Sequence, residues 1–207
     1  MASGVMTDSD VKLIKSREIN NIHLVPENTM HLFTTNKEVD AFNEMKLATY
    51  NTERAASQAQ DTIKGSCSES LKILFLAHAK NLKKQDSFGL MLHLILQVNA
   101  KYMISMNIDT SDGIVNGATG ILRQIDYDKS EIPNKVWIEF LDPKSGKECR
   151  NKNKTVMKAR NIPSTWTPIE KTARAIQIQK GSSVHVERLQ FPLLISEGIT
   201  IHKSQGE

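Results

Sequence analysis

Thr35 and Glu38 stand three residues apart at the head of a patterned segment, the spacing of a capping box. Such a box starts a helix at Asn36 and aims its free N–H groups outward, an end that suits a phosphate. A second concentration of chemistry is cationic: Lys144, Lys147, Arg150, Lys152, Lys154, Lys158 and Arg160 fall within seventeen residues against Glu148 alone. That run reads either as a solvated loop or as a contact to the phosphates of a duplex or single strand, with Trp166 near enough in sequence to offer a stacking face. Self-sufficient catalysis is not visible. A Walker loop needs Gly-x-x-x-x-Gly-Lys-Ser/Thr to wrap and neutralise phosphates, and the sole Gly-Lys step, Gly146-Lys147, is followed by Glu148. Val136–Asp142 imitates an acid-tipped Walker B strand, but Asp142-Pro143 opens a turn there. No Gly-x-Ser-x-Gly, His-Glu-x-x-His or Gly-x-Gly-x-x-Gly occurs, and Cys67 and Cys149 fall in no metal-ligand spacing.

The elements that must position these groups follow from periodicity. His31-Leu32-Phe33 reads as a strand and Thr34-Thr35-Asn36 as a turn, and Val39, Phe42 and Met45 mark one face of the helix that follows. Glu53–Ala59 favours helix by composition, Gly65-Ser66 interrupts it, and Ser70–Lys84 reads as a further helix with a basic end. From Leu94 to Met106 every even position is apolar, which predicts one long strand or two joined. Gly113, Gly117 and Gly120 punctuate a loop, where Gly113 and Asn116-Gly117 shape the backbone. Alternation then resumes at Ile121–Tyr127 and Val136–Phe140, and Ile176, Ile178, Val184 and Val186 flank a Gly181 turn. Several short strands at this spacing predict a small barrel. Leu193–Ile195, Ile199 and Ile201 fit a buried helix or a core strand, and burial holds in both cases.

Composition bounds the class. With 207 residues, 39% hydrophobic and 24% charged, the chain can bury a core, and no apolar run approaches the roughly 20 residues of a membrane-spanning helix. No membrane partner is therefore expected. The net charge of +4 lies entirely in the second half, which carries 16 bases and 12 acids against 11 and 11 in residues 1–100, and favours an anionic partner. Two cysteines suit a reducing compartment, and the start, Met1–Met6 followed by Asp8 and Asp10, shows no secretory or other targeting signal.

The most specific stretch is Ile199-Thr200-Ile201-His202-Lys203-Ser204-Gln205-Gly206, which resembles motif V of the Pif-type (petite integration frequency) helicases and their RecD-like relatives, enzymes that translocate 5′ to 3′ on DNA using ATP. Leu32–Asn43 resembles motif IV of that family, and Gly89-Leu90, Leu94–Met106, Asn107-Ile108-Asp109 and Gly113–Gly120 resemble its entry into a small inserted barrel. Where many relatives have glycine in a Val-Gly-Ala step, this chain has Asn99. The three matches fall in the family's order and cover about 32–50 and 89–207.

The resemblance implies an α/β fold: part of a second RecA-like domain with an inserted small, Src-homology-like β-barrel. It divides the chain into 1–50 (N-terminal segment and motif IV), 51–88 (helical connection), 89–187 (barrel) and 188–207 (return to the RecA-like domain with motif V). It further implies a C-terminal piece of an ATP-dependent DNA helicase, intracellular, in nucleus or mitochondrion. The Walker loop would lie upstream and the motif VI arginine downstream. No catalytic or metal residue is expected in this chain, and ATP and Mg²⁺ belong only to the complete enzyme. Thr200, His202 and Lys203, with Thr35 and Asn36, would hold a single-stranded DNA backbone without reading bases, at a single strand or at a duplex–single-strand junction. Gln205, Gly206 and Glu207 would face the nucleotide. The expected partners are that DNA and the missing N-terminal RecA-like domain. The alternative from another class is a non-enzymatic nucleic-acid-binding or interaction module descended from a helicase, of transposon origin, with the motor lost.

Overall fold

The computed structural model describes residues 6–19, 25–26, 29–84, 86–179 and 181–201. The chain divides into two units, Met1–His31 and Leu32–Glu207. In the first, helix α1 (Asp8–Lys15) begins at Thr7, whose hydroxyl oxygen accepts from Asp10 N while Asp10 accepts from Thr7 N, a reciprocal cap. No helix among the described residues is long and apolar enough to cross a membrane.

The division falls within strand β1 (His31–Phe33), and helix α2 (Asn36–Ala48) follows in the second unit, as the capping box predicts. The buried face of α2 is Val39, Asn43 and Leu47, spaced four apart, while Met45, expected on that face, is exposed. Residues 54–58, expected to be helical, form strand β2 (Arg54–Gln58) instead. The correction has a tertiary cause: β2 pairs antiparallel with the later segment His93–Gln97, and that ladder overrides the helical bias of two alanines. Strand β3 (Gln60–Lys64) and helix α3 (Glu69–Lys80) follow, so the 51–88 stretch is strand, strand and helix.

The Leu94–Met106 alternation resolves into two strands, β4 (His93–Gln97) and β5 (Lys101–Ile104). Asn99 sits at the break with φ of 71°. The residue standing in for glycine thus takes the left-handed conformation that asparagine tolerates best among side-chain-bearing residues, and its Oδ1 accepts from Arg123 Nη1 at 3.0 Å. Strands β6 (Thr119–Tyr127) and β7 (Pro133–Phe140) come next. Gly113 and Gly117 turn the preceding loop at φ of 68° and 93°.

The basic run, weighed as a solvated loop, is helix α4 (Lys147–Ala159). Its start escaped the sequence reading because the cap comes from afar: both Asp112 carboxylate oxygens accept, from Glu148 N at 2.7 Å and Cys149 N at 2.8 Å. Gly146 at its head is left-handed, and a Cβ there would lie 2.5 Å from Thr167 Oγ1. Trp166, half-buried, packs against Trp137, Met157 and Ile162 under the helix.

Strands β8 (Trp166–Glu170), β9 (Thr172–Ile176), β10 (His185–Gln190), β11 (Leu193–Ile195) and β12 (Gly198–Thr200) complete the chain. The fold is mixed α/β. β11-β5-β6-β7-β8 form an antiparallel five-stranded sheet, β3-β10-β9 a three-stranded one, and β2-β4 and β1-β12 two pairs. The expected closed barrel does not form, since no strand joins β8 back to β11 among the described residues. Instead β2-β4 and the five-stranded sheet share one core of Leu94, Leu96, Tyr102, Leu122, Ile138 and Leu193. Arg188, 2% exposed, ties β10 to its neighbours: it forks onto Asp61 at 2.7 and 2.7 Å and donates to the carbonyls of Leu90 and Ala79.

Candidate functional site

Strand β12 reaches its position through a side chain rather than a full ladder. Asn43 of α2 accepts from Gly198 N at 2.7 Å with Oδ1 and donates from Nδ2 to Gly198 O and Ile195 O, both at 3.3 Å. One amide thereby does for Gly198 what a neighbouring strand would do. Gly198 has no room for a side chain: a Cβ would meet Phe33 at 2.7 Å and Phe42 at 2.8 Å, rings that lie 5.1 Å apart. The residue before it is fixed as well. Glu197, buried, accepts from the Tyr50 hydroxyl at 2.7 Å and Lys101 N at 2.8 Å, and Ser196 N donates to Lys101 O. Helix α2, Tyr50 and β5 thus hold residues 195–198 from three sides.

This anchoring delivers Thr200, itself buried, to a cavity of about 280 Å³. Asn36, at the first turn of α2, lines the same cavity, together with Val39, Asn43 and Leu194. Of the DNA-facing residues expected from sequence, the fold therefore brings Asn36 and Thr200 together. Thr35 forms the cap that the Thr35–Glu38 spacing predicts. Its hydroxyl accepts from Glu38 N at 3.2 Å and donates to Glu38 Oε2 at 2.8 Å, while Thr34 Oγ1 donates to the same oxygen at 2.9 Å. These bonds, Thr35's first, pull the Glu38 carboxyl below its usual range. At the cavity rim Lys84 pairs with Asp40 at 2.5 Å. His202, Lys203, Gln205, Gly206 and Glu207 lie outside the described residues.

Asn43 and Glu197 were not read from the sequence as site residues. The available signal for Asn43 was a polar residue at the middle of the Val39-x-x-x-Asn43-x-x-x-Leu47 stripe; for Glu197 it was an acid between the apolar runs 193–195 and 199–201. Among the described residues no group of His, Cys, Asp and Glu could hold a metal ion.

Comparison with solved structures finds the Pif1 helicase of Candida albicans across 99% of this chain, at 24% identity and a TM-score of 0.62. The fold is that of a Pif1 helicase. Bacteroides Pif1 bound to single-stranded DNA matches 97% of the chain at 21% identity and a TM-score of 0.56. Bacteroides Pif1 in complex with ADP-AlF3 and single-stranded DNA matches 96% at 19% identity and a TM-score of 0.53. The chain spans 43%, 37% and 37% of these Pif1 chains respectively, well under half. No family model matches the chain, and no curated protein does.

Proposed function

We propose that the chain is the C-terminal segment of an ATP-dependent 5′–3′ DNA helicase. It comprises part of the second RecA-like domain with its insertion, binds the backbone of single-stranded DNA and completes an ATP site whose Walker loop lies outside it. The observation that carries this reading is the anchored strand: within a Pif1-type fold, the Asn43 clamp on Gly198 delivers Thr200 to a cavity shared with Asn36. Thr200 supplies a hydroxyl to a phosphate, and His202 and Lys203 add donors and charge without selecting bases. Gln205, Gly206 and Glu207 face the nucleotide, Gly206 because it admits close backbone approach and Glu207 as an acceptor for a ribose hydroxyl. One short peptide then touches track and fuel, so a change at one side is felt at the other.

In this reading the hydrolytic step and its Mg²⁺ belong to the upstream domain, whose Walker loop would hold the phosphates. The partners in this reading are single-stranded DNA or a duplex–single-strand junction, and that upstream domain. The chain by itself is expected not to hydrolyse ATP above background.

The test is fluorescence anisotropy with labelled single strands of unrelated sequence over a salt series. Binding should weaken steeply with salt, and Lys203→Ala should weaken all sequences alike and lower the salt slope by about 1. A salt-independent signal, or a loss confined to one sequence, contradicts the backbone role.

A further inference from the structure

The cationic helix α4 presents a face that the site at β12 does not use. Lys147, Arg150, Lys154 and Lys158 line one groove of about 410 Å³, with Met157 and Ile162 forming its floor. Lys154 and Lys158 are one turn apart and Lys147 two turns before Lys154, so the row runs about 16 Å along the axis at 1.5 Å per residue. No acidic residue lines the groove, and Glu148, the single acid of the helix, is not part of it. The three lysines are exposed and have no ion-pair partner among the described residues. Arg150 differs: its guanidinium donates to the carbonyls of Ser145 and Pro143 and to Thr167 Oγ1, fixing the turn beneath the helix. Arg160, just past the helix end, is likewise held by Asp126.

We infer that this face of α4 is a docking surface for the phosphate backbone of duplex DNA, separate from the single-strand site. Two observations select the duplex. First, no aromatic side chain lines the groove: of the nearby rings, Trp137 is fully buried and the half-buried Trp166 packs against the cluster under α4, so the groove lacks the stacking surfaces that single-strand grooves rely on. Second, the cations stand on a helix held at both ends, by Asp112 at its start and by Arg160 on Asp126 just beyond its finish. A one-turn step of about 6 Å is near twice the rise of about 3.4 Å between successive phosphates on one strand of a duplex. A straight, fixed row of charges suits a regular backbone. Placement separates the two surfaces: α4 packs on β8, at one edge of the five-stranded sheet, whereas β12 follows β11 at the other edge.

The test compares the chain with a Lys147→Ala, Lys154→Ala, Lys158→Ala triple variant, using a labelled blunt 20-base-pair duplex and the corresponding single strand. Alanine is the best helix former and all three positions are exposed, so the fold is retained, and the melting curve verifies it. The variant should bind the duplex roughly tenfold or more weakly, with the salt slope lower by about 1 per lysine removed, and the single strand as the parent does. A triple Lys→Arg variant should keep duplex binding. The proposal is overturned if the parent does not bind the duplex, if the alanine variant keeps parental affinity and slope, or if duplex and single strand lose affinity equally.

Discussion

Asn43 and Gly198 form a two-point clamp in which one side-chain amide satisfies both the N–H, at 2.7 Å, and the C=O, at 3.3 Å, of one strand residue. Asn43→Leu keeps the volume and apolar contact of the α2 face but strands both backbone groups in a buried setting, at a cost of about 2–3 kcal/mol. Chemical denaturation should show that loss, together with weaker single-strand binding. Parental stability in the variant would mean that the β1-β12 pairing alone seats the strand.

Gly198→Ala inserts a methyl group where Phe33 and Phe42 leave 2.7 and 2.8 Å. Overpacking of this kind costs about 1–3 kcal/mol. Adding Phe42→Leu should recover part of the loss because the second ring contact is then relieved. If the double variant is no more stable than the alanine variant in a thermal melt, the rings are not the obstacle.

Burial works against the Asp126 carboxylate, yet the Arg160 fork, the Trp137 indole N–H at 2.9 Å and the Gln124 amide at 2.9 Å outweigh it and hold its pKa at about 2, below the ordinary 3.8. A folded value below the unfolded one means that this carboxylate contributes its full stability above about pH 4 and loses it as pH falls toward 2. Stability measured by urea unfolding between pH 5 and about 2.5 should fall more steeply in the parent than in Asp126→Asn. Equal slopes would remove Asp126 from the acid response.

Arg188 and Asp61 form a buried pair whose side chains are 2% and 10% exposed. Arg188→Ala leaves a carboxylate without its partner and should cost about 3–5 kcal/mol. Arg188→Met with Asp61→Leu should recover part of that loss, because no uncompensated charge remains, while the carbonyls of Leu90 and Ala79 still lack the donor. A double variant worse than Arg188→Ala would assign the cost to shape rather than charge.

The parts of the fold that were legible are those set by neighbours in sequence. The Thr35–Glu38 box places α2 within a residue, and alternation finds β5, β6 and β7. The parts that were missed are set from a distance. Helix α4 starts on a carboxylate 36 residues earlier, and β2 is a strand because β4 lies beside it. At the site, Thr200 carried a motif and was visible, whereas Asn43 interrupts an apolar stripe, and only the position of Gly198, 155 residues away, shows why. The Thr35 helix end is legible as a cap because both partners, Thr35 and Glu38, lie three residues apart in sequence.

Because the amide of Asn43 bonds both backbone groups of Gly198, the seat of Thr200 is shared between a helix and the β1-β12 pairing. A small roll of α2 about its axis would therefore move Gly198, and with it Thr200, like a tiller. Any partner that leans on the first turn of α2 therefore has leverage on the wall of the cavity that Thr200 lines.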